Sequence, residues 1–285
     1  MAQSQCSGCP SASSCSAEQR ESCGSAQEPQ SMLEPANKYS KIKKVIGIVS
    51  GKGGVGKSFV TASLAAAMKK AGHPTGIMDA DITGPSIPKM FGVTGEAYGN
   101  AEGMILPLET KDGIKLMSIS LLMENPQDPV LWRGPVIGGA VKQFWTDVVW
   151  GDLDYLLIDM PPGTGDVPLT VFQSLPVDGI IVVTSPQELV QMIVTKAFRM
   201  AAMMDIPVLG VVENFSYLKC PDCGKEIRLF GESHVDEAAK ELGIPVLGKV
   251  PLDPAMAQAA DAGTFYEKEH PYLDAAVEAL KKIEA

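Results

Sequence analysis

The sequence predicts an α/β fold, a mostly parallel sheet with helices on both faces, preceded by a flexible Cys-rich amino-terminal tail. Three observations carry that expectation. Apolar, strand-like runs alternate with helical segments over most of the chain. The first such run leads straight into a glycine-rich loop. The pattern also changes abruptly at Lys41, and 1–37 read as a metal-binding tail and 38–285 as one domain. At 285 residues and 45% apolar composition, the chain can bury one substantial core.

Residues 1–37 are rich in Ser, Gln, Glu and Cys with few aliphatics, so they cannot bury enough surface to offset the entropy of ordering unless a metal orders them. Past Lys41, Val45-Ile46-Gly47-Ile48-Val49 reads as a parallel strand buried on both faces. Further strands are expected at Thr75–Asp79, Tyr155–Asp159, Gly179–Thr184, Pro207–Val212 and Pro245–Val250. Helices are expected at Val60–Ala71, Val136–Val149, Glu188–Met204, His234–Leu242 and Tyr272–Ala285, and a hairpin within Met104–Ser120.

The 24 basic residues against 34 acidic ones, a net charge of −10, disfavour nucleic-acid backbones and anionic lipid as partners. The amino terminus lacks the basic-then-apolar order of a signal peptide, and no apolar run approaches the ~20 residues of a membrane helix. A cytoplasmic protein with no nucleic-acid and no membrane partner is expected.

Gly51-Lys52-Gly53-Gly54-Val55-Gly56-Lys57-Ser58, continuing into Phe59, satisfies G-x-x-x-x-G-K-S between a predicted strand and a predicted helix. This predicts a P-loop NTPase fold that binds ATP with Mg²⁺. The glycines let backbone N–H groups face the phosphates, the helix amino terminus adds positive potential, Lys57 reaches the β/γ oxygens, and the Ser58 hydroxyl can ligate Mg²⁺. Asp79 and Asp159 each end an apolar strand at the carboxyl edge where open α/β sheets bind ligands, and burying a carboxylate there is costly without a function.

All six cysteines fall in two places, Cys6, Cys9, Cys15 and Cys23 in the tail and the pair Cys220 and Cys223. In a reducing compartment, clustered thiols are metal ligands or redox groups more often than disulfides. The C-x-x-C spacing lets two thiolates face one centre, which is too few to hold it alone. A [4Fe–4S] cluster shared with a second chain, a Cys₄ zinc site that adds Cys6 and Cys9, and a redox pair all fit that spacing.

The loop, with Lys52 after its first glycine, resembles the deviant Walker A of the superfamily that includes MinD, ParA, ArsA and the nitrogenase iron protein. In that superfamily this lysine reaches the partner subunit's nucleotide, which implies an ATP-sandwich homodimer. Asp79-Ala80-Asp81-Ile82-Thr83-Gly84-Pro85-Ser86 looks like switch I, implying that Asp81 orients the attacking water and Asp79 supports the magnesium shell. Leu157-Ile158-Asp159-Met160-Pro161-Pro162-Gly163-Thr164-Gly165-Asp166 looks like a Walker B strand running into switch II, with Asp159 on Mg²⁺ and Gly163 near the γ-phosphate. Asn214 and the turn Pro251, Leu252, Asp253 match adenine-contacting positions; without the resemblance they read as a helix cap or turn.

Taken in order with Ser185-Pro186-Gln187-Glu188, Val212-Glu213-Asn214-Phe215-Ser216-Tyr217 and the C-x-x-C, these motifs make Lys41–Ala285 closely resemble the Mrp/ApbC family of iron–sulfur carrier ATPases. That resemblance implies slow ATP hydrolysis, a homodimer with nucleotides and a bridging cluster at its interface, and delivery of [4Fe–4S] clusters to apo iron–sulfur proteins. The tail resembles a four-cysteine extension of the eukaryotic cytosolic branch that holds a second cluster, although its C-x₂-C-x₅-C-x₇-C spacing departs from that branch. Two further classes stay open, a MinD- or ParA-like ATP-dependent switch and a zinc-stapled P-loop scaffold without cluster transfer.

Overall fold

The structure, a computed structural model, describes residues 32–82, 84–123, 125, 132, 134–186 and 190–283. Cys6, Cys9, Cys15 and Cys23, expected as metal ligands, lie outside the described residues.

The chain runs β1 (Ser40–Ser50), α1 (Lys57–Lys70), β2 (Thr75–Asp79), a single turn α2 (Ile87–Met90), β3 (Leu108–Glu109), β4 (Lys115–Ser118), α3 (Gly134–Thr146) and β5 (Gly151–Asp159). It continues through α4 (Asp166–Ser174), β6 (Gly179–Thr184), α5 (Val190–Met203), β7 (Val208–Glu213), β8 (Leu218–Lys219), β9 (Glu226–Ile227), α6 (Val235–Leu242), β10 (Val246–Lys249), α7 (Pro254–Ala262) and α8 (Asp274–Lys282). Strands β10-β7-β6-β1-β5-β2-β4-β3 form one sheet, parallel throughout except where β3 turns back on β4; β8 and β9 form a separate hairpin. The hairpin expected within 104–120 is therefore present, and its second strand joins the sheet beside β2.

The pattern within β1 explains both covered faces. Val45 and Val49 enter one apolar cluster with Phe144, Trp145 and Trp150, while Ile46 and Ile48 enter the opposite one with Leu64, Met68 and Phe265. Successive side chains point to opposite faces, so a run of aliphatics serves both layers. Strand β1 begins earlier than the apolar run because Ser40 to Ile42 pair with Gly151 to Leu153 despite their polar neighbours.

Several described features go beyond the strands and helices expected from the sequence, among them α2, the β8–β9 hairpin, α4, the body of α7 and the attachment of residues 34–37. Helix α4 begins inside the proline- and glycine-rich run after Asp159, with Pro168 in its first turn, where a missing N–H is tolerated. Helix α7 starts on Pro254 behind Asp253, whose carboxylate accepts from the Ala255 N–H at 2.8 Å. Residues 34–37 also attach to the body: Glu34 N–H donates to Ser174 O at 2.7 Å, Trp145 Nε1 to Glu34 O at 2.8 Å, and Asn37 Nδ2 to Val148 O at 2.7 Å.

Candidate functional site

The loop between β1 and α1 wraps the amino terminus of α1. Gly54 and Gly56 take positive φ of 78° and 76°, which aims the loop's backbone inward. At Gly56 a Cβ would also collide with the Asn214 amide and come within 3.2 Å of the Phe215 ring. Lys52, Gly53, Gly54, Val55, Gly56, Lys57, Ser58 and Phe59 line one open cleft, which Asp81 and Pro162 also border. Gly51 instead presses against Ile193 of α5, where a Cβ would clash. Gly163 donates its N–H to Ser50 O at 2.8 Å, tying the turn after β5 to the start of the loop.

Strand register assembles the acidic wall. Asp159 ends β5 opposite Asp79 on β2, and Asp79 lies opposite Ser118 on β4, so three side chains form a row across neighbouring strands. Lys57 Nζ sits 2.7 Å from Asp159 Oδ1 and 3.9 Å from Asp81 Oδ2. Ser58 Oγ donates to Asp159 Oδ2 at 2.5 Å, and Thr61 Oγ1, one helical turn beyond Lys57, donates to Oδ1 at 2.8 Å. Ser118 Oγ donates to Asp79 Oδ2 at 3.1 Å, and the Asp81 N–H to Asp79 Oδ1 at 3.2 Å.

Burial pushes the Asp79 carboxyl well above the usual carboxylate range, and the nearby charges of Asp159 and Asp81 push it the same way; Lys57 and the Ser118 hydroxyl only partly oppose them. The result is a buried lysine facing an excess of carboxylate oxygens. Such a site suits a phosphate chain at the lysine and a hard divalent cation at Ser58, Asp159 and Asp79. Thr61 and Ser118 were not singled out in the sequence; the spacing of four from Lys57 was a legible cue for Thr61, whereas Ser118 depends on strand order.

The segment leaving β7 lies beside the loop. Asn214 is fully buried, donating Nδ2 to Val55 O at 2.9 Å, and its Oδ1 has no partner among the described residues. Glu213, also fully buried, accepts from the hydroxyls of Ser216 and Ser233. Leu252 N–H donates to Tyr217 O at 2.7 Å, which binds the 251–253 turn to the same segment.

Cys220 and Cys223 occupy the turn of the β8–β9 hairpin as free thiols, Cys220 half-buried and Cys223 exposed. Cys220 N–H donates to Lys225 O and Gly224 N–H to Cys220 O, both at 2.9 Å, with Gly224 in the left-handed region at φ 71°. The backbone N–H groups of Cys223 and Asp222, with the Cys223 side chain, hold the Cys220 thiol below its ordinary pKa, which favours the metal-binding thiolate. Among the described residues, no group of three or more His, Cys, Asp or Glu side chains is placed to hold a metal ion. Tyr217, Lys219, Cys220, Pro251, Leu252, Asp253 and Tyr272 border one cleft, so the thiol turn and the 251–253 turn share a wall.

Residues 41–284 match the ParA family described as NUBPL iron-transfer P-loop NTPase. An iron–sulfur cluster carrier protein of Methanocaldococcus jannaschii is 52% identical over 225 residues, 79% of this chain and 78% of that protein. One from Clostridium perfringens is 42% identical over 284 residues, 96% of this chain and 99% of that protein. Among solved structures, a nucleotide-binding protein of Archaeoglobus fulgidus in complex with ADP is similar at 42% identity and a TM-score of 0.74, covering 82% of this chain and 91% of that one. The cell division ATPase MinD of Pyrococcus furiosus, at 21% identity and a TM-score of 0.56 over 85% of this chain and 98% of that one, shares the fold. No helix among the described residues is long and apolar enough to cross a membrane.

Proposed function

The chain belongs to the family of NUBPL iron-transfer P-loop NTPases, and on that premise we propose that it is a cytoplasmic ATP-hydrolysing carrier that binds [4Fe–4S] clusters and passes them to apo iron–sulfur proteins. The observation that carries this reading is the pair Cys220 and Cys223, one half-buried and one exposed, in a hairpin turn that shares a cleft wall with the 251–253 turn. Two thiolates cannot complete the four-cysteine set of such a cluster. A homodimer brings two turns together and leaves the cargo at a subunit boundary, open to a recipient.

In this reading Lys57 and the backbone of residues 51–58 bind the phosphates, and Lys52 reaches the nucleotide of the second subunit. Asp81 orients the attacking water, and Ser58, Asp159 and Asp79 hold Mg²⁺. When bound, Mg²⁺ neutralises charge on the phosphate oxygens. Gly163 stands at the γ-phosphate and the 251–253 turn at the adenine. Asn214 supports that placement with a carbonyl oxygen that has no partner among the described residues, an acceptor of the kind an adenine amino group requires. Cys6, Cys9, Cys15 and Cys23 hold a second cluster in the tail.

The test is iron, acid-labile sulfide and zinc per chain after anaerobic purification and reconstitution, for the parent chain and a Cys220→Ala/Cys223→Ala variant. About six iron and six sulfide per chain, falling to about four in the variant with nucleotide binding intact, is the expected result. Zinc with negligible sulfide overturns it in favour of a zinc-stapled scaffold.

A further inference from the structure

Phe215 has a backbone φ of 59°, in the left-handed region. A bulky aromatic rarely adopts that conformation, and where one does, the surroundings must over-determine it. Here they do so from both sides. Asn214 is fixed by its N–H on Thr184 O at 2.8 Å and by its amide on Val55 O at 2.9 Å. Ser216 is fixed by its N–H on Val250 O at 2.9 Å and by its hydroxyl on Glu213 at 2.5 Å.

Asparagine tolerates left-handed backbone far better than phenylalanine, yet it stands one position too early, its amide committed to the phosphate loop. A glycine or asparagine at 215 would make the turn without strain. What phenylalanine adds is its ring, whose Cζ lies 3.2 Å from where a Cβ on Gly56 would stand. Beyond the ring, the chain is pinned once more, at Tyr217 O by the Leu252 N–H, before it enters the hairpin that carries Cys220 and Cys223.

We propose that Phe215 is a positioning residue that transmits the state of the phosphate loop to the thiol turn. A shift of Val55 or Gly56 moves Asn214 and the Phe215 ring together, and the strained backbone between them converts it into a displacement of residues 216–220. Nucleotide occupancy thereby resets the two thiols. The physical warrant is one chain of contacts, from Val55 O through Asn214 and Phe215 to Tyr217 O, with a strained residue in its middle. The proposal rests on the nucleotide-binding half of the reading above and not on the cluster.

The test is backbone amide exchange over residues 218–227 of the full-length chain, with and without Mg·ADP, beside ADP affinity on the same preparations. In the parent chain, ADP is expected to change exchange there by about fivefold. Phe215→Gly, which relaxes the backbone and removes the ring, is expected to bind ADP within about threefold of the parent and to lose the response. Phe215→Tyr, which keeps the ring, should retain it. An undiminished response in Phe215→Gly, or a parent chain that binds ADP without any change at 218–227, overturns the proposal while leaving the proposed function standing. A parent chain that does not bind ADP overturns both. Should circular dichroism show Phe215→Gly unfolded, Phe215→Leu takes its place: a response at least halved supports the coupling, and an unchanged one overturns it.

Discussion

Lys57 and Asp159 meet at 2.7 Å with only 5% of the lysine side chain and none of the aspartate exposed to solvent. A pair at that depth is held by mutual need, since removing either partner takes from the other its nearest countercharge in a site closed to water. Asp159→Ala is therefore expected to destabilise the nucleotide-free protein by about 3–5 kcal/mol, with Ser58 and Thr61 also losing their acceptor. Asp236→Ala, which breaks the Lys249 pair with side chains 38% and 63% exposed, should cost less than about 1 kcal/mol. Urea unfolding of the two variants measures the contrast, and equal losses would contradict the structural role given to Asp159.

Gly54 and Gly56 separate two reasons for a glycine. Both have positive φ, but a Cβ at Gly54 meets nothing within 4 Å, whereas one at Gly56 runs into Asn214 and the Phe215 ring. Gly54→Ala should cost only the backbone strain, about 1–2 kcal/mol. Gly56→Ala should cost that amount plus the displacement of Asn214 from Val55 O, at least about 1 kcal/mol more for the lost hydrogen bond. Nucleotide titration should show the larger loss of affinity at Gly56, and the reverse order would mean the Asn214 contact is dispensable.

The loop, Asp79 and Asp159 were legible because each rests on local pattern: glycines before a helix, a carboxylate ending an apolar strand. Ser118 was not, because its hydrogen bond to Asp79 exists only once β4 lies beside β2, and strand order is not written in any local stretch. Phe215 escaped for the opposite reason. Its neighbour Asn214 is the residue that propensity would place in the left-handed turn, and only the amide's commitment to Val55 O moves the strain along by one. Residues 34–37 read as tail because they lack aliphatics, yet their attachment uses hydrogen bonds from and to Glu34 and Asn37, which hydropathy does not register.

Cys220 should alkylate at lower pH than an ordinary cysteine. Its thiolate is favoured by the N–H groups of Cys223 and Asp222, a feature of the folded turn that vanishes in denaturant. The rate of iodoacetamide labelling at Cys220, followed by mass spectrometry on metal-free reduced protein, is expected to reach half-maximum at lower pH in the folded chain than in urea. Coincident midpoints would mean the turn does not prepare the thiolate.

His270 is 4% exposed, stacked at 5.2 Å against Phe265 and edge-on at 6.2 Å to Tyr272, with neither ring nitrogen partnered among the described residues. Burial above all, with the Lys70 charge acting the same way and Glu269 opposing both, lowers its pKa to about 4 from the ordinary 6.5. Because the folded value lies below the unfolded one for a base, the unfolded chain takes up a proton first as pH falls. The contribution to stability is thus complete above about pH 6.5, declines through the window between the two values, and levels off below about 4. At pH 4.5 the loss amounts to about 2–3 kcal/mol for this residue alone. His270→Phe keeps an aromatic stack and removes the titration, so the stability of the parent relative to this variant should fall by that amount between pH 7 and 4.5 in paired urea unfolding curves. Carboxylates titrating in the same range cancel in the difference. A constant difference across the window would show that the imidazole takes up its proton equally in the folded and unfolded chain, which would require Glu269 to cancel the effects of burial and Lys70.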